Sequence, residues 1–206
     1  TDATNGIPTA AATNFIFVRG DHTASTLTKI AGFEAWLPAG GPSATAFFSV
    51  DRTTDATRLG GISYDGSAVP IEEALIEGAS RSARDGGKID HYLLNYAKFS
   101  ELEKGLGSKI QYIDMEVAQV SFRGVMINGP RGPVKVIPDQ NCPKTRAFGL
   151  QLDLWKLYSL GKAVRVIDTD GLQMLRQASS DGVECRYGMY AQMGCRGPGF
   201  NVNVQL

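Results

Sequence analysis

Histidine is nearly missing from this chain, cysteine is scarce and odd in number, and neither charge nor hydropathy gathers in one place. The 206 residues hold two histidines, His22 and His91, which stand far apart. His91 opens an apolar strand, where a packed or hydrogen-bonded imidazole is a better reading than a catalytic one. The three cysteines, Cys142, Cys185 and Cys195, have no C-x-x-C spacing, so neither a disulfide framework nor a zinc site is signalled. They read as reduced, small hydrophobic side chains of a protein assembled inside a cell. No apolar run approaches the roughly 20 residues that cross a bilayer. The start of the chain lacks the basic-then-apolar pattern of an export signal. Basic and acidic residues number 21 each, which argues against a protein that grips nucleic acid through a basic face. Because the first residue is Thr1 and not Met, residues upstream of it are expected to have been lost.

Enzyme signatures are equally sparse. Gly129-Pro-Arg-Gly132 and Gly105-Leu-Gly107 superficially resemble phosphate-cradling loops, yet neither continues as G-x-x-x-x-G-K-[ST] or as G-x-G-x-x-G after a strand. A G-x-S-x-G elbow is missing too. Glu72-Glu73 suits a helix start, and Asp168 with Asp170 suits a turn. The expectation is no catalytic residue, no metal and no cofactor. A small α/β hydrolase or nucleotide-using enzyme, with its site among the glycine turns, is the rival reading.

Glycine is what the chain has in plenty, 24 residues, several in clusters that predict tight turns. Residues 1–14, rich in Thr, Ala and Asn, read as a loose strap. From Asn14 to Gly66, short apolar pieces (Phe15 to Val18, Phe33 to Leu37, Phe47 to Val50) predict loops and short strands. A helix is expected from Pro70 to Arg84, with Glu72 and Glu73 at its positive end and Gly86-Gly87 as its stop. Its stripe is Ile71, Ala74, Leu75, Gly78, Ala79 and Ser82. A strand, His91 to Asn95, leads into a second helix, Ala97 to Leu106.

Val120 to Ile127 and Val134 to Ile137 predict a hairpin about the turn Asn128 to Pro133. Phe148 to Leu154 alternates as a strand and is expected to pass into a helix near Trp155, although Leu150 to Leu160 also fits a helix throughout. Asp168 to Gly171 signals a turn. Cys185 to Cys195, a turn at Arg196 to Gly199, and Phe200 to Leu206 read as a long terminal β-hairpin.

Two features suit an assembly role. Phe15, Phe17, Phe33, Trp36, Leu37, Phe47 and Phe48 lie in a segment too irregular to bury them all alone, as expected of a region that packs on neighbours, with burial of any one of them within the subunit as the equal alternative. The small-residue stripe at 71–82 would let something approach the helix backbone closely.

Several strings, in order, resemble the major capsid proteins of tailed bacteriophages with the HK97-like fold. They begin with Gly32-Phe-Glu-Ala-Trp36, Val50-Asp-Arg52, Arg58-Leu-Gly-Gly61 and Ile71-Glu-Glu-Ala-Leu75. The fullest is Gly124-Val-Met-Ile-Asn-Gly-Pro-Arg-Gly-Pro-Val-Lys-Val-Ile-Pro-Asp139. Asp139-Gln-Asn-Cys-Pro143, Trp155-Lys-Leu-Tyr-Ser-Leu-Gly161, Asp168-Thr-Asp-Gly171 and Tyr190-Ala-Gln-Met-Gly-Cys195 follow.

The resemblance implies an α+β subunit and a truncated N-terminus without the family's extended arm. Residues 1–66 would form a strap and loop region that includes part of an extended loop. Residues 67–87 would hold the spine helix of a peripheral lobe, 88–167 mainly an axial lobe of mixed sheet and helices, and 168–206 the return strands of the peripheral lobe. It further implies a non-enzymatic virion protein, assembled in the host cytoplasm into an icosahedral head around double-stranded DNA, with no membrane involved. Its partners would be copies of itself in hexamers and pentamers, and scaffold, portal or decoration proteins. A nanocompartment shell is the nearest alternative. Arg52, Arg58 and Asp139, charges set among turn residues, are the expected inter-subunit ion-pairing positions.

Overall fold

The computed structural model describes residues 22–23, 26–27, 30–107, 112–117, 120–162, 164–166, 171, 174–177 and 181–206, with backbone alone for 22–23, 26–27, 112–117 and 120–123. The expected strap at 1–14, the apolar piece at 15–18 and most of the turn at 168–171 lie outside the described residues. The chain divides into two units, Thr1–Ile30 and Ala31–Leu206. In the first, β1 (His22–Thr23) and β2 (Thr26–Leu27) form a short antiparallel pair.

The second unit is α+β. It opens with α1 (Phe33–Trp36), α2 (Ala56–Gly60), β3 (Ile62–Asp65) and α3 (Ile71–Arg84). Next come β4 (His91–Leu94), α4 (Tyr96–Leu106), β5 (Tyr112–Val117), β6 (Val120–Gly129), β7 (Gly132–Pro138) and β8 (Arg146–Leu150). The remaining strands are β9 (Trp155–Ser159), β10 (Arg165–Val166), β11 (Leu175–Arg176), β12 (Val183–Glu184), β13 (Tyr187–Gly188), β14 (Ala191–Cys195) and β15 (Val202–Gln205). A seven-stranded mixed sheet in the order β3-β15-β8-β4-β7-β6-β5 is its centre. The β3–β15 and β4–β7 pairs are parallel and the other four antiparallel. No described helix is long and apolar enough to cross a membrane.

Helix α3 forms where the 3.6-residue spacing places it, and all six residues of its expected stripe are buried. Pro70 is the N-cap and so precedes the first helical residue, and Gly86, at φ +98°, follows the C-cap Asp85. What approaches the stripe is the protein's own sheet. A Cβ on Gly78 would lie 2.8 Å from Val204 Cγ2 and 3.0 Å from the Tyr92 hydroxyl. The stripe is therefore explained inside the subunit and gives no support to assembly. The Tyr92 hydroxyl donates to the Leu75 carbonyl at 2.8 Å, and burial pushes its pKa well up. Phe99 and Leu102 of α4 join the same core, with Asn95 capping their helix through the Ala97 N–H.

The opposite face of the sheet has its own smaller core. Strand alternation turns Phe148 and Leu150 away from α3, and Leu37, Cys142, Phe33, Trp36 and Trp155 pack around them. Asn203, buried on that face, donates to the Leu37 carbonyl at 2.7 Å. Phe33, Trp36 and Leu37 are thus used within the subunit, contrary to the expectation that they await neighbours. Phe33–Trp36 is also helical, with Leu37 as its C-cap, and not a strand.

Two further expectations are corrected. Leu152–Leu154 is a single 3₁₀ turn and Trp155–Ser159 a strand, so no helix begins near Trp155. The terminal hairpin does not form: β14 pairs with β9, whereas β15 enters the sheet between β3 and β8. Ile62–Asp65 is one short strand in the region, Asn14 to Gly66, where loops and short strands are expected. The hairpin of β6 and β7 is present, closed by Pro130 and Arg131 between the paired Gly129 and Gly132.

Candidate assembly surface

No group of three His, Cys, Asp or Glu among the described residues is placed to hold a metal ion. His91 Nδ1 lies 2.9 Å from Asp90 Oδ1, and Asp90 also accepts from the Leu152 N–H, so this histidine belongs to a strand-end hydrogen-bond network. Glu72 and Glu73 occupy the first turn of α3. An open cleft of about 690 Å³ lies between α2 and the C-terminal end of α3, lined by Asp55, Thr57, Arg58, Asp85, Gly199 and Phe200. Its charges pair locally, Arg58 with Asp55 at 3.6 Å and Asp85 with Arg84 at 3.9 Å.

The structure separates the three charges singled out from the sequence. Arg52 is buried, its Nη1 donating to the Ala35 and Trp36 carbonyls at 2.9 and 3.1 Å, with the guanidinium 4.2 Å from the Phe47 ring centre. Desolvation lowers its pKa. Asp139 is half-buried and closes a turn by accepting from the Asn141 N–H at 2.8 Å. Arg58 alone extends into solvent, with its side chain 86% exposed.

The most unusual surface lies between Trp155 and Cys195. Three antiparallel pairs nest there: β9 with β14, β10 with β13, and β11 with β12. The Leu160 N–H donates to the Tyr190 carbonyl, and the Gln177 N–H to the Gly182 carbonyl nearer the tip. Among the described residues the three pairs follow one another along an outgoing and a returning leg, here called the ribbon. Its outgoing leg carries extra residues, advancing from Ser159 to Arg165 while the return leg covers only Gly188 to Ala191. That mismatch produces the bulge around Gly161 and Val164, both at positive φ.

Two strands offer their own side chains little cover, and among the described residues no third strand pairs with them. Leu157, Tyr158, Leu160, Val164, Met174, Val183, Tyr187 and Tyr190 are all exposed, Leu160 by 76% and Tyr187 by 69%. Full burial of one Leu- or Val-sized side chain contributes roughly 1.5–3 kcal/mol. A row of uncovered apolar groups of this kind marks a contact surface. Sequence reasoning missed it by pairing Cys185–Cys195 with the C-terminus. The signal available was the second alternating stretch at 155–159.

The cysteines are free, as expected. Cys142 is buried, its thiol donating weakly to the Leu93 and Arg146 carbonyls. Burial first, then the Asp139 charge, pushes its pKa up to about 12.

A family model described as the SU10 major capsid protein matches residues 2–189. No curated protein matches the chain.

Proposed function

Because this chain belongs to the SU10 major capsid protein family, its role is structural, in a phage virion shell, and we propose that it fills that role by self-assembly through the 155–195 ribbon. The observation that carries the proposal is the run of exposed apolar side chains on a two-stranded element unable to cover them. In a closed shell every copy offers the same surface and receives the same surface, so one ribbon contact is multiplied around each symmetry axis. Obligate interfaces of this kind bury on the order of 2,000 Å² or more.

The shell we propose is icosahedral, built of hexamers and pentamers in the HK97-like manner, and encloses double-stranded DNA. Under this proposal α3 is the spine helix of a peripheral lobe to which β15 returns, 88–154 supplies most of an axial lobe, and 155–195, expected to divide at 167, acts as one ribbon. The ribbon, in place of residues 1–66, takes the role of the extended loop that the resemblance implies, lapping over a neighbouring subunit. The balance of 21 basic and 21 acidic residues supports holding DNA by enclosure with weak, non-specific contacts. Of the three charges, Arg58 is the one through which we propose an inter-subunit ion pair, since Arg52 and Asp139 are committed internally. Assembly in the host cytoplasm with scaffold and portal partners completes the proposal.

Electron microscopy of the purified chain tests it. Closed shells are expected, with an ultraviolet absorbance ratio dominated by nucleic acid when recovered from infected cells. Shells carrying only protein would favour a nanocompartment, and persistent monomers at high concentration would overturn the assembly reading.

A further inference from the structure

Both tryptophans of the chain stand at the root of the ribbon. Trp155, the first residue of β9, donates its Nε1–H to Asn201 Oδ1 at 3.0 Å. Trp36, at the end of α1, donates its Nε1–H to the Met193 carbonyl of β14 at 3.1 Å. One bond runs from the ribbon into the body and the other from the body to the ribbon, and each secures a different leg. The two indoles meet edge to face, with centres 6.3 Å apart, and Phe33 stands edge-on to Trp155 at 4.9 Å.

Asn201 is the hub of this root. It is fully buried, its Oδ1 also accepts from the Gln151 N–H at 2.9 Å, and its Nδ2 donates to the Gly197 carbonyl at 2.9 Å. One side chain thereby ties the end of β8, the start of β9, the turn after β14 and the start of β15. A ribbon joined to a body only through its two chain ends swings about them. Bonds in opposite directions on its two legs remove that freedom, and an indole provides a single donor on a stiff, two-torsion side chain.

We infer that Trp36, Trp155 and Asn201 are positioning residues that fix the direction in which the ribbon leaves the body, and so the angle between neighbouring subunits. The inference rests on the ribbon being the assembly arm. In a closed shell a small angular error recurs at every copy, and the rotation then fails to close or closes at another size.

Trp36→Phe and Trp155→Phe, made in the full chain, keep an aromatic ring and remove the donor. Each is expected to melt within about 5 °C of the parent, yet to yield shells of altered diameter or open sheets in electron micrographs. Tyr92→Phe is the control, because it removes the buried hydroxyl donor to Leu75 in the main core, away from the ribbon root. Parental shells from it, with a similar melting loss, support positioning over stability; aberrant shells from it overturn the inference. Acrylamide quenching of the unassembled parent needs no variant. Both indoles should be protected, and free quenching of either would overturn the clamp.

A shortened chain separates this inference from the reading beneath it. Replacing 161–189 with a two-residue turn closes the ribbon at the hydrogen-bonded Leu160 and Tyr190. If that chain builds parental shells, the ribbon is not the assembly arm and both statements fall. If it builds none while both tryptophan variants build parental shells, the positioning inference alone is overturned.

Discussion

Leu160→Ala tests the ribbon's role at its most exposed apolar side chain. Leu160 is 76% exposed in the subunit, so truncating it removes little that the isolated chain uses, and stability should change by less than about 0.5 kcal/mol. Under the proposed assembly the same side chain lies beneath a neighbour. Its truncation then removes apolar groups worth about 0.8 kcal/mol per buried CH₂, or roughly 2 kcal/mol in all. At 1.4 kcal/mol for each tenfold change, one such contact per subunit raises the concentration threshold for assembly about thirtyfold. Light scattering across a dilution series reads the threshold, and urea unfolding of dissociated subunits reads the stability. An unchanged threshold would refute the reasoning. So would a large loss of subunit stability, because it would mean that Leu160 is already covered within its own chain.

Arg52→Ala removes two charged hydrogen bonds and leaves the Ala35 and Trp36 carbonyls short of a donor; a loss of about 3 kcal/mol in urea unfolding is expected. Arg58→Ala, at an exposed surface pair, should stay within about 0.5 kcal/mol of the parent. Gly149→Ala would set a Cβ 2.6 Å from both Tyr92 Cε1 and Val202 Cγ1, an overpacking expected to cost about 1–3 kcal/mol by the same measurement. The Cys142 thiol, with its pKa raised from an ordinary 9.0 to about 12, stays protonated in the folded chain when the unfolded chain has already ionised. Its contribution is complete below pH 9.0 and fades as the pH rises toward 12, so urea midpoints should fall over that window and Cys142→Ala should flatten the slope.

What could be read from the sequence was whatever local spacing determines. The six-residue face of α3, the extent of α4, and the β6–β7 hairpin all arise from contacts within a few residues, and each lies close to where spacing places it. Partners distant along the chain left no such mark. Alternation at Phe200 to Leu206 announces a strand but not its neighbours, and β15 pairs with β3 and β8 from far upstream. Ile62–Asp65 is too short to show a period at all. Apolar residues at 150–160 fit helix or strand equally, and the choice was settled by pairing with 191–195.

The candidate surface was legible only in part, for the same reason. Aromatics at 33–37 lie in an irregular segment and read as unpartnered, yet the far face of the sheet receives them. The residues that do remain uncovered lie on strands that, among the described residues, pair only two by two, which no local pattern reveals. Arg52 shows the limit for charges, since nothing in Asp51-Arg-Thr reveals that its guanidinium turns inward onto two carbonyls.

Hydrogen exchange of the ribbon amides, read by mass spectrometry in dissociated subunits and in closed shells, bears most directly on all of this. Peptides from 155–166 and 183–195 should exchange rapidly in the subunit and become strongly protected in the shell, while peptides of α3 and β8 stay slow in both. Equal, rapid exchange of those ribbon peptides in the two states would mean that no neighbour covers them.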